Sequence, residues 1–110
     1  MKVIICNGFS MSMLKSEKAV VEFKKITAEE AREVVKKADQ VTSAVGHAST
    51  AEVYSEVLGT TIEVNRVPIK LDTDTILLIG GLPIRPAEGK IFTKEEIIFL
   101  GLEWWLVRQL

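Results

Sequence analysis

Histidine and cysteine are the scarcest reactive residues of this sequence, which has one of each, His47 and Cys6. A single cysteine excludes a disulfide within the chain. One cysteine and one histidine also cannot supply, from one chain, the three or four ligands of a zinc site. Because Cys6 belongs to an apolar run, we interpret it as a small core residue.

A large excess of charge of either sign is also lacking. The chain has 14 basic and 15 acidic residues and a formal net charge of -1. Broad, salt-dependent binding to duplex DNA usually requires a cluster of lysines and arginines, so we expect no duplex nucleic acid as a partner. A small anionic ligand held by a few residues is compatible with this balance.

The length of the chain, 110 residues of which 47% are hydrophobic, is enough for one core. We therefore expect residues 1–110 to form a single domain without a linker. The apolar start, Met1 to Cys6, is far too short for a signal peptide or a membrane span. A cytoplasmic protein with no membrane partner is the default expectation, and for a viral source the compartment would be the host cytoplasm.

Apolar and β-branched runs predict the strands of a sheet. Lys2 to Cys6 and Thr75 to Ile79 are almost wholly apolar, which is typical of strands buried at the centre of a sheet. Alternation and β-branched or aromatic residues predict the remaining strands. These are Ala19–Phe23, Glu103–Arg108 and a hairpin or bent ribbon of Thr60–Val64 with Val67–Leu71. Val41 to Val45 is either a short strand or the end of a connection.

Three capping boxes, each a Ser or Thr followed three residues later by Glu, predict where helices begin. In chain order they are Thr27 with Glu30, Ser49 with Glu52, and Thr93 with Glu96. The second box predicts a helix from about Thr50 to Leu58 that Gly59 ends. Strands and helices interleaved in this way predict an α/β fold, a mixed sheet flanked by helices.

His47 stands just before the second predicted helix start. The first turn of a helix presents unpaired N–H groups and the positive end of the helix dipole, which suit a phosphate or another anion. A titratable imidazole beside an anion site is what proton transfer at phosphorus requires. On spacing alone, a lone histidine beside a helix start is more often a loop or packing residue.

Three more charged residues lie where a structural role is not obvious. Arg66 follows a predicted strand and Arg85 lies in the loop from Leu82 to Lys90, and each guanidinium could form a two-pronged hydrogen bond with a phosphate. Glu88 lies in the same loop and could orient a histidine or a ribose hydroxyl. Each of the three, taken alone, is more simply a surface residue.

Five short motifs occur in a fixed order along nearly the whole chain. They are Asn7-Gly8-Phe9-Ser10 with Met13-Leu14, Gly46-His47-Ala48-Ser49-Thr50, Gly59-Thr60-Thr61, Asn65-Arg66-Val67 and Glu88-Gly89-Lys90-Ile91. By their order and spacing they resemble the ring nucleases of the viral anti-CRISPR type III family and their cellular relatives. That family binds cyclic tetra-adenylate, the second messenger of type III CRISPR defence, and cuts it without a metal into linear di-adenylates.

The resemblance implies roles for individual residues. A ribose 2′-hydroxyl of the ligand would attack the adjacent phosphorus, and His47 would be the general acid that protonates the departing 5′-oxygen. Glu88 would help to arrange His47 or the reacting ribose, and Arg66 and Arg85 would contact phosphates. The other ligand-binding residues that it implies are Gly8, Ser10, Ser49 and Thr50.

The resemblance also implies a homodimer whose interface cleft receives the ring, with no metal and no cofactor. A ring of four equivalent nucleotides can share a twofold axis with an isologous dimer, so two copies of His47 could address opposite phosphodiesters. Two alternatives stay open: a protein that sequesters the cyclic nucleotide without cutting it, and a DNA-binding regulator. Neither the charge balance nor a recognition-helix pattern favours the regulator.

Overall fold

The computed structural model describes residues 1–84, 89 and 91–110. These residues form one α/β domain. The strands are β1 (Lys2–Cys6), β2 (Val21–Ile26), β3 (Gln40–Ser43), β4 (Thr75–Gly81) and β5 (Glu103–Gln109). The helices are α1 (Ala28–Lys37), α2 (Ala48–Leu58) and α3 (Lys94–Leu100), and a short 3-10 turn lies at Met11–Met13.

The five strands make a mixed sheet in the order β2-β5-β4-β1-β3. β1 is parallel to both of its neighbours, β3 and β4, whereas β5 is antiparallel to β4 and to β2. The two most apolar strands, β4 and β1, therefore lie side by side inside the sheet, as their sequences predict. The predicted α/β fold with a mixed sheet and flanking helices is confirmed.

The two faces of the sheet are covered differently. On one face, α1 and α2 pack against β1, β4 and β5 around the buried residues Ala31, Tyr54, Leu78 and Trp104. On the other face, the cover consists of the chain around the 3-10 turn and the segment that ends at buried Leu71. The neighbouring tryptophans Trp104 and Trp105 point to opposite faces, as strand alternation predicts.

The predicted hairpin of Thr60–Val64 with Val67–Leu71 is wrong. Within the described part of the chain, the strand-like pairings of the two segments are two isolated parallel bridges, one joining Val64 to Val45 and one joining Leu71 to Leu14. Competing hydrogen bonds explain the difference, because the Asn65 side chain donates to the Ser43 carbonyl and the Ser43 hydroxyl donates to the Glu63 carbonyl. The segment is thereby fixed along the end of β3 and not folded on itself.

The second strand is also displaced from its predicted position. We predicted a strand at Ala19–Phe23, and β2 covers Val21–Ile26. All six of its residues pair with β5, so that Ile26 lies opposite Trp104 and Val21 opposite Gln109. Pairing with β5, which is distant in sequence, extends the strand through Lys24 and Lys25. The local pattern places these two lysines after the strand.

The boxes at Thr27 and Thr93 cap their helices as predicted. In the first, the Thr27 hydroxyl accepts a hydrogen bond from the Glu30 amide and the Glu30 carboxylate accepts one from the Thr27 amide. We expect Thr27→Ala to lower the free energy of unfolding by about 1 kcal/mol, because the Glu30 amide loses its partner. Urea titration measures the change. Thr61→Ala, at an exposed position outside the helices and strands, is the matched control, and an equal loss in both variants would contradict the capping role.

Candidate functional site

The candidate site lies where the parallel strands β1 and β4 end. In α/β sheets, ligands commonly bind in the crevice outside the carboxyl ends of parallel strands. A cavity of about 370 Å³ opens there between the sheet and the starts of α2 and α3. Three of the predicted site residues, Gly8, His47 and Thr50, line it together with Asn7 and Tyr54.

His47 is itself the N-cap of α2, and its backbone is extended, with φ -126° and ψ 134°. Its carbonyl accepts the first helical hydrogen bond, from the Ala51 amide at 3.0 Å. The imidazole makes no capping hydrogen bond with the described residues. The side chain is half-buried on the cavity wall and so is placed to meet a ligand rather than to complete the helix.

Ser49 is not the N-cap of this helix, so that part of the prediction is wrong. The helix begins at Ala48, one residue before Ser49, and the Ser49 hydroxyl donates to the carbonyl of Phe92 at 2.9 Å. Glu52 does not close a capping box, since its carboxylate accepts a hydrogen bond from the Lys94 ammonium, with 2.9 Å between Nζ and Oε1. Both side chains are used in contacts with the segment that leads into α3. The predicted stop at Gly59 is confirmed, with a left-handed φ of 69°.

Lys94 ties the start of α3 to the side of α2. Its ammonium lies 2.9 Å from a Glu52 oxygen and 2.6 Å from a Glu56 oxygen. The hydrogen bonds with Glu56 and Glu52 raise the pKa of Lys94 above its usual value, so the ammonium stays charged at neutral pH. Because Phe92 and Ile97 line the cavity on the α3 side, this ion-pair group fixes one wall of the site.

Tyr54 is a site residue that the sequence analysis missed. It lies two turns into α2, is completely buried, and donates its hydroxyl hydrogen bond to the carbonyl of Gly80. A Cβ atom on Gly80 would lie 2.6 Å from the Tyr54 hydroxyl oxygen, so only glycine fits there. Burial raises the pKa of Tyr54, which keeps the hydroxyl neutral and donating. Tyr54 therefore connects the helix that carries His47 to the end of β4.

Arg66 contacts Gly46, the residue before His47. Its side chain packs on Gly46, where an added Cβ would lie 3.1 Å from the Arg66 Nε atom. Gly46 precedes His47, so the arginine contacts the backbone that leads directly to the imidazole. Arg66 is exposed, which leaves its guanidinium accessible to a ligand in solution.

Arg85 and Glu88, the other two charged residues of the prediction, lie outside the described residues. Ile84 and Ile91, which are described, both line the cavity beside His47. Ser10 lies apart from that cavity, on the wall of a neighbouring one that also includes Gly8. The structure thus brings Gly8, His47 and Thr50 together around one cavity, which neither Arg66 nor Ser10 lines.

The described residues contain no group of three or more His, Cys, Asp or Glu side chains that could hold a metal ion. The predicted core role of Cys6 is confirmed, since it is 2% exposed. Burial raises the pKa of the Cys6 thiol to about 11, so it is a protonated, inert group at neutral pH. Among the described helices, none is long and apolar enough to cross a membrane.

Comparison with known families gives one match that spans most of the chain. The model of the STIV B116-like family matches residues 3–104. A solved structure, B116 of Sulfolobus turreted icosahedral virus, is similar with a TM-score of 0.77 and 27% sequence identity. The similarity covers 98% of this chain and 99% of that chain, so it includes both the sheet and the site.

Three viral proteins are similar in sequence. Uncharacterized protein 26 of Sulfolobus islandicus filamentous virus (isolate Iceland/Hveragerdi) is 34% identical over 103 residues, 93% of this chain and 86% of that protein. Uncharacterized protein ORF117 of Acidianus two-tailed virus is 28% identical over 97 residues, 86% of this chain and 83% of that protein. Uncharacterized protein ORF116 of Acidianus filamentous virus 1 (isolate United States/Yellowstone) is 31% identical over 93 residues, 84% of this chain and 79% of that protein.

Proposed function

The chain belongs to the STIV B116-like family, and from its site we propose that it is a metal-independent ring nuclease. It binds cyclic tetra-adenylate, cleaves it to linear di-adenylate and so switches off type III CRISPR signalling in the host cytoplasm. The observation that carries the proposal is the position of His47 on a cavity wall at the start of α2. The sequence motifs that resemble the anti-CRISPR type III ring nucleases supply the ligand, and the viral relatives fit such a role.

The surroundings of His47 suit a phosphodiester. The His47 carbonyl accepts from the Ala51 amide, so the amides of the first turn before Ala51 have no helical carbonyl to bind. Amides of this kind, at the positive end of a helix dipole, attract an anion. Thr50 adds a hydroxyl on the cavity wall, and Arg66 adds a positive charge beside Gly46. These groups would hold the phosphate within reach of the imidazole.

The proposed reaction is a transesterification within the ligand. The 2′-oxygen of one ribose forms a bond to the adjacent phosphorus while the bond from phosphorus to the 5′-oxygen breaks. Protonated His47 gives its proton to that 5′-oxygen, and the proton of the 2′-hydroxyl passes to water. The product ends are a 2′,3′-cyclic phosphate and a 5′-hydroxyl, and two such events convert the ring into two di-adenylates.

A homodimer would complete the site. The cavity of about 370 Å³ lies near the lower end of the range for drug-sized ligands, and a ring of four nucleotides is much larger than it. A second copy related by a twofold axis would supply a second cavity and a second His47 to the opposite half of the ring. This arrangement accounts for products of two nucleotides.

Product analysis tests the proposal. We expect chromatography of cyclic tetra-adenylate incubated with the protein to show linear di-adenylate ending in a 2′,3′-cyclic phosphate. The rate should be the same with and without EDTA, because the leaving group is protonated by a side chain. Inhibition by EDTA would contradict the metal-independent route. A ring that binds but stays intact would favour the sequestering alternative over the enzyme.

A further inference from the structure

A second cavity adjoins the one beside His47. It has a volume of about 500 Å³, and it shares Asn7 and Gly8 with the first cavity. Its walls come from the chain around the 3-10 turn and from the segment Val67–Lys70. Both cavities therefore lie at the carboxyl end of β1, and a ring larger than either cavity would contact residues of both.

Lys70 is held at the wall of this second cavity. Its ammonium donates to the Ser12 carbonyl at 2.8 Å, and the next residue, Leu71, is completely buried and donates its amide to the Met13 carbonyl at 2.8 Å. An ammonium has three donors, so two of them stay available to a ligand. No carboxylate of the described residues forms an ion pair with Lys70. The positive charge is thus positioned by the backbone and not neutralised by the described part of the chain.

The rest of the cavity matches the chemistry of a nucleotide. The hydroxyls of Ser10 and Ser12 lie 2.6 Å apart and form a hydrogen bond, so they present polar atoms beside the ammonium. Phe9, Met13 and Ile69 supply apolar wall. A phosphate needs the charge and the hydroxyls, whereas a base needs a flat apolar surface on which to lie.

We propose that Lys70 binds a phosphodiester of the ring other than the one that is cut. This inference rests on the proposed ring nuclease function and adds a specific binding residue to it. Because the contact is remote from the reacting phosphorus, it is the same in the ground state and in the transition state. Such a contact strengthens ligand binding without changing the rate of the bound complex.

The test is Lys70→Gln, which removes the charge and keeps a side chain of similar length. We expect the dissociation constant for cyclic tetra-adenylate to rise about tenfold, the size of a moderate charge-assisted contact. Binding is measured in the His47→Ala background to prevent cleavage. The slope of log affinity against log salt should become shallower, since one phosphate contact is lost. The single-turnover rate at saturating ring, measured with His47 present, should stay within about twofold by the same argument.

Two further variants separate the charge from other effects. Lys70→Arg should retain the salt dependence, and Lys24→Gln, which removes an exposed lysine from β2, should bind like the parent. Equal affinities for Lys70→Gln and Lys24→Gln, or a loss confined to the single-turnover rate, would overturn the inference. Cleavage by the unaltered protein would still support the proposed function in that case. An unaltered protein that neither binds nor cuts the ring would overturn both.

Discussion

His47→Ala is expected to abolish detectable cleavage of cyclic tetra-adenylate while leaving the affinity for the ring within a few-fold. General acid catalysis commonly contributes about 10²- to 10⁴-fold to a rate, and the imidazole is the proposed donor to the 5′-oxygen. Binding should survive because the amides at the start of α2, Thr50 and Arg66 are unchanged. Single-turnover kinetics with labelled ring, together with a binding titration, measures both quantities.

The structure also predicts that this variant folds. The N-cap role of His47 is filled by its backbone carbonyl, and its imidazole makes no capping bond with the described residues, so truncation removes no such partner. His47→Gln is the matched variant, because it keeps a polar side chain of similar size but cannot transfer a proton at neutral pH. Both variants should be equally inactive, and added imidazole should restore part of the activity of His47→Ala. Normal turnover by either variant would refute the proposed role.

The sequence predicts those parts of the fold that depend on interactions between residues close together in the chain. A capping box is complete within four residues, so Thr27 and Thr93 identify their helices without knowledge of the rest of the chain. The apolar runs of β1 and β4 likewise identify central strands, since a strand covered on both faces needs no alternation. A left-handed glycine at Gly59 ends α2 for an equally local reason.

The parts that the sequence does not predict depend on distant partners. Ser49 and Glu52 have the spacing of a capping box. Their side chains instead form hydrogen bonds with the Phe92 carbonyl and the Lys94 ammonium. β-branched residues between Gly59 and Val64 suggest a strand, yet Asn65 fixes that chain to the end of β3. No local signal marks such contacts.

The same distinction applies to the site. The single histidine and the residues beside it are visible as a motif, and Gly8, His47 and Thr50 do line one cavity. The sequence does not reveal the role of Tyr54, because its position in the helix resembles any apolar position. Its partner Gly80 is 26 residues away. The sequence does not single out Lys70, because nothing in the local pattern distinguishes it from other exposed lysines. Its hydrogen bond to the Ser12 carbonyl, seen in the structure, is what fixes the position of its ammonium.

Gly80→Ala is expected to destabilise the protein more than alanine at the other glycine of β4, Gly81. The new Cβ would lie 2.6 Å from the Cζ and Oη atoms of Tyr54, closer than carbon atoms can approach. Tyr54 cannot easily move away, because it is completely buried and its ring lies 4.9 Å from that of Trp104. We expect the free energy of unfolding to fall by about 1–3 kcal/mol, the usual cost of overpacking a core. Urea titration measures this change.

Gly81→Ala supplies the control, because the same methyl one residue later would have Glu103 O as its nearest atom, at an ordinary 3.8 Å. In a Tyr54→Leu background, the penalty of Gly80→Ala should shrink, since the phenol that the methyl meets is gone. The cycle of single and double variants should therefore give a coupling of about 0.5–3 kcal/mol. Equal destabilisation by alanine at Gly80 and at Gly81, or no coupling with Tyr54, would show that this contact does not hold α2 against β4. If it does hold them, Gly80→Ala should also slow cleavage, because displacement of Tyr54 shifts the helix that carries His47.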